Sequence, residues 1–318
     1  MEKLEILLKG LSDENPNVRK ASAIALGELH STEAIKPLIK LLADKHWQVR
    51  EVVVHALGKI GVDEAVEVLI KLLNVEKGDV RKAILDEVSS RGDEKNEEVK
   101  AILPGSGEKK RGDESWQVRK TAALVLSNMK PELTIEPLMQ AMGMENINIK
   151  VASIAGLGNL MALKSEDMLI SALSDENWQV KKASATALGK IKSTKAVKPL
   201  IAALSDSKFS VRIEALIALN HIKSPESILT MIHTLLNDEN DDVRKTAAIA
   251  LGNTKSEEAV APLIKALLDI TWQVRKAAAT SLGNLKSELA IDPLIQCFAD
   301  ENEEVRVAAS MAYMRIIG

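Results

Sequence analysis

The stretch "NWQVKKASATALGK" at residues 177–190 has the spacing of one amphipathic α-helix. Its apolar and small residues recur every three or four positions and so fall on one stripe of a helix: Val180, Ser184, Leu188 and, just beyond, Ile191. Gly189 and Lys190 lie near the predicted helix end, as is common at a C-terminus. We call this segment helix B of a repeat and number its positions from Val180 as position 0.

The same segment recurs along the whole chain. Position 0 is a β-branched residue followed by Arg or Lys, and it is found at Val18, Val49, Val80, Val118, Ile149, Val180, Val211, Val243, Val274 and Val305. Successive positions are 31 or 32 residues apart, except for the step of 38 between Val80 and Val118. A fixed period of this length predicts a solenoid, in which each repeat packs on its neighbours.

A second apolar segment precedes helix B, as in "KAVKPLIAAL" at 195–204. A proline recurs near its start, where a missing N–H costs least: Pro37, Pro137, Pro199, Pro262 and Pro293. We call this segment helix A. Connectors such as "SDEN" at 174–177 supply turn and capping residues. Each repeat is therefore predicted to be an antiparallel helix pair that buries its apolar stripes by stacking.

Composition agrees with an all-α fold. Of the 318 residues 46 % are apolar but only 2 % are aromatic, which is typical of closely packed helices. The 42 basic and 45 acidic side chains give a formal net charge of −3, so no strong field attracts a polyanion, and general nucleic-acid binding is disfavoured.

Features of compartment and membrane also follow from the sequence. The single cysteine, Cys297, lies in an apolar helical segment and is expected to be a buried hydrophobe rather than a reactive thiol. The first twenty residues are too charged for a signal peptide, and no run of about 18 apolar residues predicts a membrane span. We expect a cytoplasmic protein without membrane association.

Acidic and basic residues recur at two further positions. An aspartate stands at position −5 in eight repeats, at Asp13, Asp44, Asp113, Asp175, Asp206, Asp238, Asp269 and Asp300. Position +1 is Arg or Lys in all ten. We predict a structural ladder in which the aspartate caps helix B and the basic residue links neighbouring repeats through charge-assisted hydrogen bonds.

The pattern "AVKPLIAALSD…VR…ALG" resembles the short HEAT repeats of phycobilisome-lyase-type and archaeal HEAT proteins, over essentially the whole chain. This resemblance implies a right-handed α-solenoid of about ten helix pairs, with A helices outside and B helices lining the concave side. Val75 and Met144 replace the aspartate in two repeats and depart from the pattern. Members of the family are mostly adaptors and scaffolds, with a few enzymes among them.

One column of helix B carries most of the aromatic residues. Helical projection places positions −2, −1, +2 and +6 opposite the apolar stripe, and we call these positions the B face. Position −2 holds Trp47, Trp116, Trp178, Phe209 and Trp272, which are five of the seven aromatic residues. A packing role against a neighbouring loop is the alternative, but Pro16, Gly78, Ile147, Asp241 and Glu303 occupy the same position in other repeats.

The B face is predicted to bind a partner protein or peptide. Aromatic anchors give large buried areas, glutamine amides hydrogen-bond a partner's backbone, and lysines favour a partner with acidic and apolar character. The predicted binding residues are Trp47, Gln48, Trp116, Gln117, Lys120, Trp178, Gln179, Lys182, Phe209, Trp272, Gln273 and Lys276. In engineered relatives of this repeat type the same positions form the variable binding surface, so the resemblance implies the same role here.

One segment breaks the period. The chain is predicted to be a single solenoid over residues 1–318 with an irregular repeat and a loop insertion at about 87–117. The seven extra residues fall in the charged "PGSGEKKRG" at 104–112. Its glycines do not match a phosphate-binding loop, and no strand precedes them.

No catalytic constellation is evident. The histidines at His30, His46, His55, His221 and His233 are scattered, and no cysteine cluster or nucleophile beside a histidine is present. We therefore expect a non-catalytic scaffold that needs no cofactor or metal. Two alternatives stay open: a subunit similar to a phycobilisome lyase, and a nucleic-acid-binding HEAT-like protein in which Trp and Lys hold a strand.

Overall fold

The computed structural model describes residues 2–74 and 115–318, which form two compact bodies, Met1–Ser165 and Glu166–Gly318. Val80 and most of the predicted irregular segment 87–117 lie outside the described residues. All regular structure in the described part is helical, as expected.

The N-terminal body contains eight described α-helices: α1 (Glu2–Gly10), α2 (Pro16–Glu28), α3 (Ile35–Leu41), α4 (Trp47–Ile60), α5 (Asp63–Leu73), α6 (Ser115–Leu126), α7 (Pro131–Met142) and α8 (Ile147–Asn159). Short 3₁₀ turns at Thr32–Ala34 and Leu163–Ser165 accompany them.

The C-terminal body contains ten: α9 (Glu166–Ala172), α10 (Trp178–Lys190), α11 (Val197–Ala203), α12 (Phe209–Ile222), α13 (Ile228–Asn237), α14 (Asp241–Gly252), α15 (Val260–Ala266), α16 (Trp272–Leu285), α17 (Ile291–Gln296) and α18 (Glu303–Ile317). Each odd-numbered helix in this body is a helix A that packs on the following helix B, and successive B helices pack on one another.

The recurrent proline lies near the start of four of the nine described A helices. In α3, α11, α15 and α17 the α-helix begins two residues before the proline, so the missing N–H falls in the first turn, where it has no intrahelical partner. Helix α7 differs, because it begins at Pro131 and encloses Pro137.

Buried side chains follow the predicted stripe of helix B. Position 0 is fully buried in every described repeat except the first, where Val18 is exposed at the end of the stack. Positions +4 and +8 are buried beside it, as in Ser184 and Leu188 of α10. The predicted core of the repeat is thus confirmed.

The glycine at position +9 allows neighbouring B helices to approach closely. A Cβ added to Gly189 would lie 2.8 Å from the Cα of Ala218, and one added to Gly283 would lie 2.7 Å from the Cα of Ala312. Such distances are shorter than any van der Waals contact. Gly189 therefore serves packing between α10 and α12 rather than helix termination, because α10 continues to Lys190.

Helix B is capped by a residue other than the predicted one. In α10 the N-cap is Asn177, whose side chain accepts the Gln179 N–H at 2.8 Å, and Asn15, Asn146, Asn240 and Asn302 have the same role. The aspartate at −5 instead accepts the N–H of the residue two positions later, as Asp175 Oδ1 does from Asn177 at 2.9 Å. The prediction that this aspartate caps helix B is wrong, since it stabilises the preceding turn.

Helix α6 packs on both α4 and α5, although about forty residues separate α5 from α6 in the sequence. Across this junction Thr121 Oγ1 donates to Glu51 Oε1 at 3.2 Å, and Lys130 pairs with Asp63. The period assigns α5 to the repeat of Val80 and α6 to that of Val118. In the structure α5 and α6 contact each other as an A and B pair, so the described helices form four pairs in the N-terminal body and five in the C-terminal body.

In the described ranges, no helix combines the length and the apolar character that crossing a bilayer requires.

Candidate protein-binding face of the B helices

The B face is accessible throughout the described repeats, because no residue at position −2 is buried. Trp178 is 40 % exposed and Phe209 is 51 % exposed. Of the other described residues at this position, four are half-buried, namely Pro16, Trp47, Trp116 and Trp272. Three are exposed, namely Ile147, Asp241 and Glu303. All four tryptophans are therefore partly covered by protein, and Trp178 is the most exposed of them.

Apolar side chains continue this surface at position +6. Those exposed there are Ile24, Leu124, Ile249 and Met311. With the aromatic residues they give the B face a mixed apolar and polar character, which is common at protein interfaces.

Adjacent helices bring some of the predicted residues together. Trp47 begins α4 and Trp116 is the second residue of α6, and these helices pack on each other in the N-terminal body. In the C-terminal body Trp178 and Phe209 begin the neighbouring helices α10 and α12. Trp272 begins α16 and is separated from Phe209 by α14, where Asp241 occupies the equivalent position.

The lysines of the C-terminal B face are already paired with carboxylates. Lys276 Nζ lies 2.7 Å from Glu304 Oε2, and Lys182 Nζ lies 3.7 Å from Glu214 Oε1. Lys245 pairs within its own helix with Asp242 at 2.6 Å. This part of the B face therefore presents little net positive charge, which weakens the expected preference for an acidic partner.

The N-terminal part of the B face differs. Lys120 Nζ lies 6.0 Å from the centroid of the Trp116 ring, within the range of a cation–π contact. Gln117 Oε1 is buried and has no hydrogen-bond partner among the described residues. Gln48 and Gln179 are exposed, and Gln273 is half-buried.

A ladder of ion pairs fixes the spacing of the B helices. Arg212 Nε and Nη2 donate to Asp238 Oδ2 and Oδ1, both at 2.8 Å, while Nη1 donates to the carbonyl of Asp206 at 2.9 Å. Each such arginine thus joins the connector of its own repeat to that of the next. The equivalent side-chain pairs are Arg19–Asp44, Lys181–Asp206, Arg244–Asp269 and Arg275–Asp300. The predicted link between repeats is confirmed.

The ladder perturbs the acidity of its members. The hydrogen bond from Arg275 lowers the pKa of Asp300 below its ordinary value despite burial. For Asp269, burial alone would raise the pKa, but the bonds from Arg244 and from the Thr271 N–H outweigh it and lower the pKa. Both carboxyls are therefore held ionised at neutral pH.

Cys297 is buried, as expected, and burial together with the charge of Asp300 raises its thiol pKa. The thiolate is consequently disfavoured. In the described ranges, no group of three or more His, Cys, Asp or Glu side chains is arranged to hold a metal ion.

The sequence profile for HEAT repeats matches residues 4–89, 166–233 and 228–314, which is more than half of the chain. The chain belongs to the HEAT-repeat family, as the sequence pattern predicted. Among curated proteins none matches it.

Solved structures share the fold. The Escherichia coli protein YibA is 18 % identical, with 92 % of this chain and 96 % of that one aligned and a TM-score of 0.59. Importin β is 14 % identical, with 99 % of this chain and 50 % of that chain aligned and a TM-score of 0.57. The CpcE and CpcF complex of phycocyanin lyase from Nostoc sp. PCC7120 is 24 % identical over 47 % of this chain and 98 % of that one, with a TM-score of 0.41. At these identities the similarity to YibA and importin β shows the all-α solenoid fold alone.

Sequence reasoning missed two properties of these repeats. The first is the pairing of its lysines, because Glu214 and Glu304 belong to the following repeats and only the repeat alignment signals their proximity. The second is the turn role of the aspartate at −5, for which the Asn at −3 was the available signal.

Proposed function

We propose that this protein is a non-catalytic scaffold that binds a partner protein or peptide on the B face. The proposal rests mainly on the aromatic and apolar surface at positions −2 and +6, which is accessible on helices whose opposite stripe is fully buried. In a chain with so few aromatic residues, large apolar side chains that recur on one exposed face are typical of a binding surface.

The pair Trp178 and Phe209 is the proposed centre of binding in the C-terminal body. Both are exposed and begin neighbouring helices, so a partner's apolar side chain inserted between them buries area on both rings. Gln179, also exposed, is proposed to hydrogen-bond the partner's backbone. Lys182, Gln273 and Lys276 form the polar rim in this body.

The paired lysines favour a protein partner over a nucleic acid. Nucleic-acid binding draws most of its affinity from unpaired cations that neutralise phosphates. On the C-terminal B face Lys182, Lys245 and Lys276 already have carboxylate partners. Binding to the proposed partner should consequently depend only weakly on salt.

The test uses the full chain and two double variants. Partners captured by the wild-type chain are identified, purified and titrated against Trp178→Ala/Phe209→Ala and against Leu229→Ala/Leu289→Ala. Leu229 and Leu289 are 72 % and 76 % exposed and lie off the B face, so they match the loss of exposed apolar area. We expect the first pair to weaken binding by about thirtyfold or more and the second by less than about threefold. Equal affinities for the two variants would reject the proposal.

A further inference from the structure

A second surface of the C-terminal body lies at the opposite ends of the B helices. Position +12, just beyond the end of helix B, is a lysine with a left-handed backbone in four successive repeats, with φ of 54° at Lys192, 59° at Lys223, 57° at Lys255 and 54° at Lys286. Glycine adopts this conformation without steric cost, as Gly61 does after α4. Backbone geometry therefore does not explain why lysine, rather than glycine, occupies this position.

Three of these lysines border one open cleft of about 470 Å³. Its charged lining consists of Lys192, Lys223 and Lys255, with the imidazole of His221 beside them. The amides of Asn220, Asn253 and Asn284 supply the other polar side chains. No carboxylate lines this cleft, and all of these residues belong to the C-terminal body.

The cleft lysines are free of ion pairs, in contrast to the lysines of the B face. Lys192, Lys223, Lys255 and Lys286 are exposed and make no salt bridge within the described residues. Glu226, Glu257 and Glu288 lie in the following 3₁₀ turns, yet none of them lines the cleft. The row continues past the cleft to Arg315, whose Nη1 donates to Asn284 Oδ1 at 2.9 Å.

The lysines lie one repeat apart. They follow B helices that pack in succession, and neighbouring packed helices are separated by about 8–10 Å. A polyproline II segment has three residues per turn and rises about 3.1 Å per residue, so every third side chain points the same way and advances by about 9 Å. A polyproline II segment with a carboxylate at every third residue therefore matches the row of lysines.

We propose that this cleft binds an extended acidic peptide segment, with one carboxylate for each of Lys192, Lys223 and Lys255. The asparagine amides donate to the carbonyl groups of the bound segment, which are otherwise left without partners along an extended chain. The proposal does not depend on the B face, since the two surfaces use different residues at opposite ends of the same helices.

The test measures fluorescence anisotropy of two labelled twelve-residue peptides of equal composition on the intact chain. One carries aspartate at every third position among Gly and Ser, and the other carries the same four aspartates in one block. The protein variants are Lys192→Asn/Lys223→Asn/Lys255→Asn and the control Lys198→Gln/Lys208→Gln/Lys265→Gln. Asparagine tolerates the left-handed backbone, and the control removes the same charge from exposed lysines of the same body.

We expect the spaced peptide to bind the wild-type chain at least about fivefold more tightly than the blocked one. The cleft variant should weaken that binding about tenfold or more, and the control less than about threefold. Equal loss in the two triple variants would show general charge attraction and overturn the proposal. The proposal would also be overturned if both peptides bound equally or if neither bound. The same holds if inorganic phosphate displaced the spaced peptide at an equal concentration.

A B-face variant separates this result from the proposed scaffold function. Trp178→Ala/Phe209→Ala should leave the affinity for the spaced peptide unchanged, whatever its effect on the protein partner. A matching loss of peptide binding would place the peptide on the B face instead and overturn the assignment to the cleft.

Discussion

Replacing Asp269 by alanine tests the ion-pair ladder. Asp269 accepts Arg244 Nε at 2.8 Å and Nη2 at 3.0 Å, and its Oδ1 also accepts the Thr271 N–H at 2.8 Å. The side chains of Arg244 and Asp269 are only 12 % and 13 % exposed, so removing the carboxylate leaves a guanidinium with little water to replace it. Breaking such a buried pair costs about 3–5 kcal/mol.

Partial exposure places the expected loss for Asp269→Ala near the lower end, at about 3 kcal/mol. Asp269→Asn keeps an oxygen for the Thr271 N–H and should lose about 1–2 kcal/mol. The matched control is Asp242→Ala in α14, since the Asp242–Lys245 pair is exposed and worth at most about 1 kcal/mol.

Urea denaturation followed by far-ultraviolet circular dichroism measures these free energies, and hydrogen exchange locates the weakened region. We expect exchange to accelerate first in α14, α15 and α16, because the lost contacts join their connectors. The reasoning fails if Asp269→Ala costs no more than Asp242→Ala, or if exchange accelerates evenly over the whole C-terminal body.

Three further predictions concern the repeats. Deleting residues 74–111 joins Leu73 to "GDESWQV", so that the junction matches "LLADKHWQV" at 41–49. Because α6 already packs on α4 and α5, calorimetry should show a melting temperature within about 4 °C of that of the full chain. A loss of cooperative unfolding would contradict this. Gly283→Ala should destabilise the chain by about 1–3 kcal/mol in urea, because the new Cβ meets the Ala312 backbone, and wild-type stability would refute the close contact. The pKa of Asp300 is lowered in the folded state, so its contribution to stability is complete above the unfolded pKa of about 4 and is lost as the pH falls through the lower folded value. Asp300→Asn should therefore be less stable at pH 7, and its stability should change less with pH in an acid titration. Identical pH profiles of stability for the two proteins would exclude this contribution of Asp300.

The repeat alignment predicted the positions of the core well, because each residue of the stripe recurs in a similar environment. Val180, Ser184 and Leu188 are buried where the period placed them, and Trp178 lies on the accessible side. The alignment was less informative where one repeat meets the next. The approach of Gly189 to Ala218 depends on the distance between two helices, and the residue pattern of a single helix does not give that distance.

The contact of α6 with α4 and α5 also could not be read from the period. Counting steps of 31 residues treats Val80 as another helix B, while spatial adjacency depends on which apolar faces fit. Likewise the cleft lysines occur at ordinary helix ends in the sequence. Only the backbone angles and the shared cleft show that Lys192, Lys223 and Lys255 form one surface.

The accessible aromatic column is the central claim, and quenching of Trp178 fluorescence tests it most directly. A variant with Trp47→Phe, Trp116→Phe and Trp272→Phe leaves Trp178, 40 % exposed, as the only indole. We predict that acrylamide quenches this residue readily in the free chain and far less in the complex with the identified partner, with a shift of emission to shorter wavelength. Equal quenching in the free and bound chains would contradict a binding role for the B face.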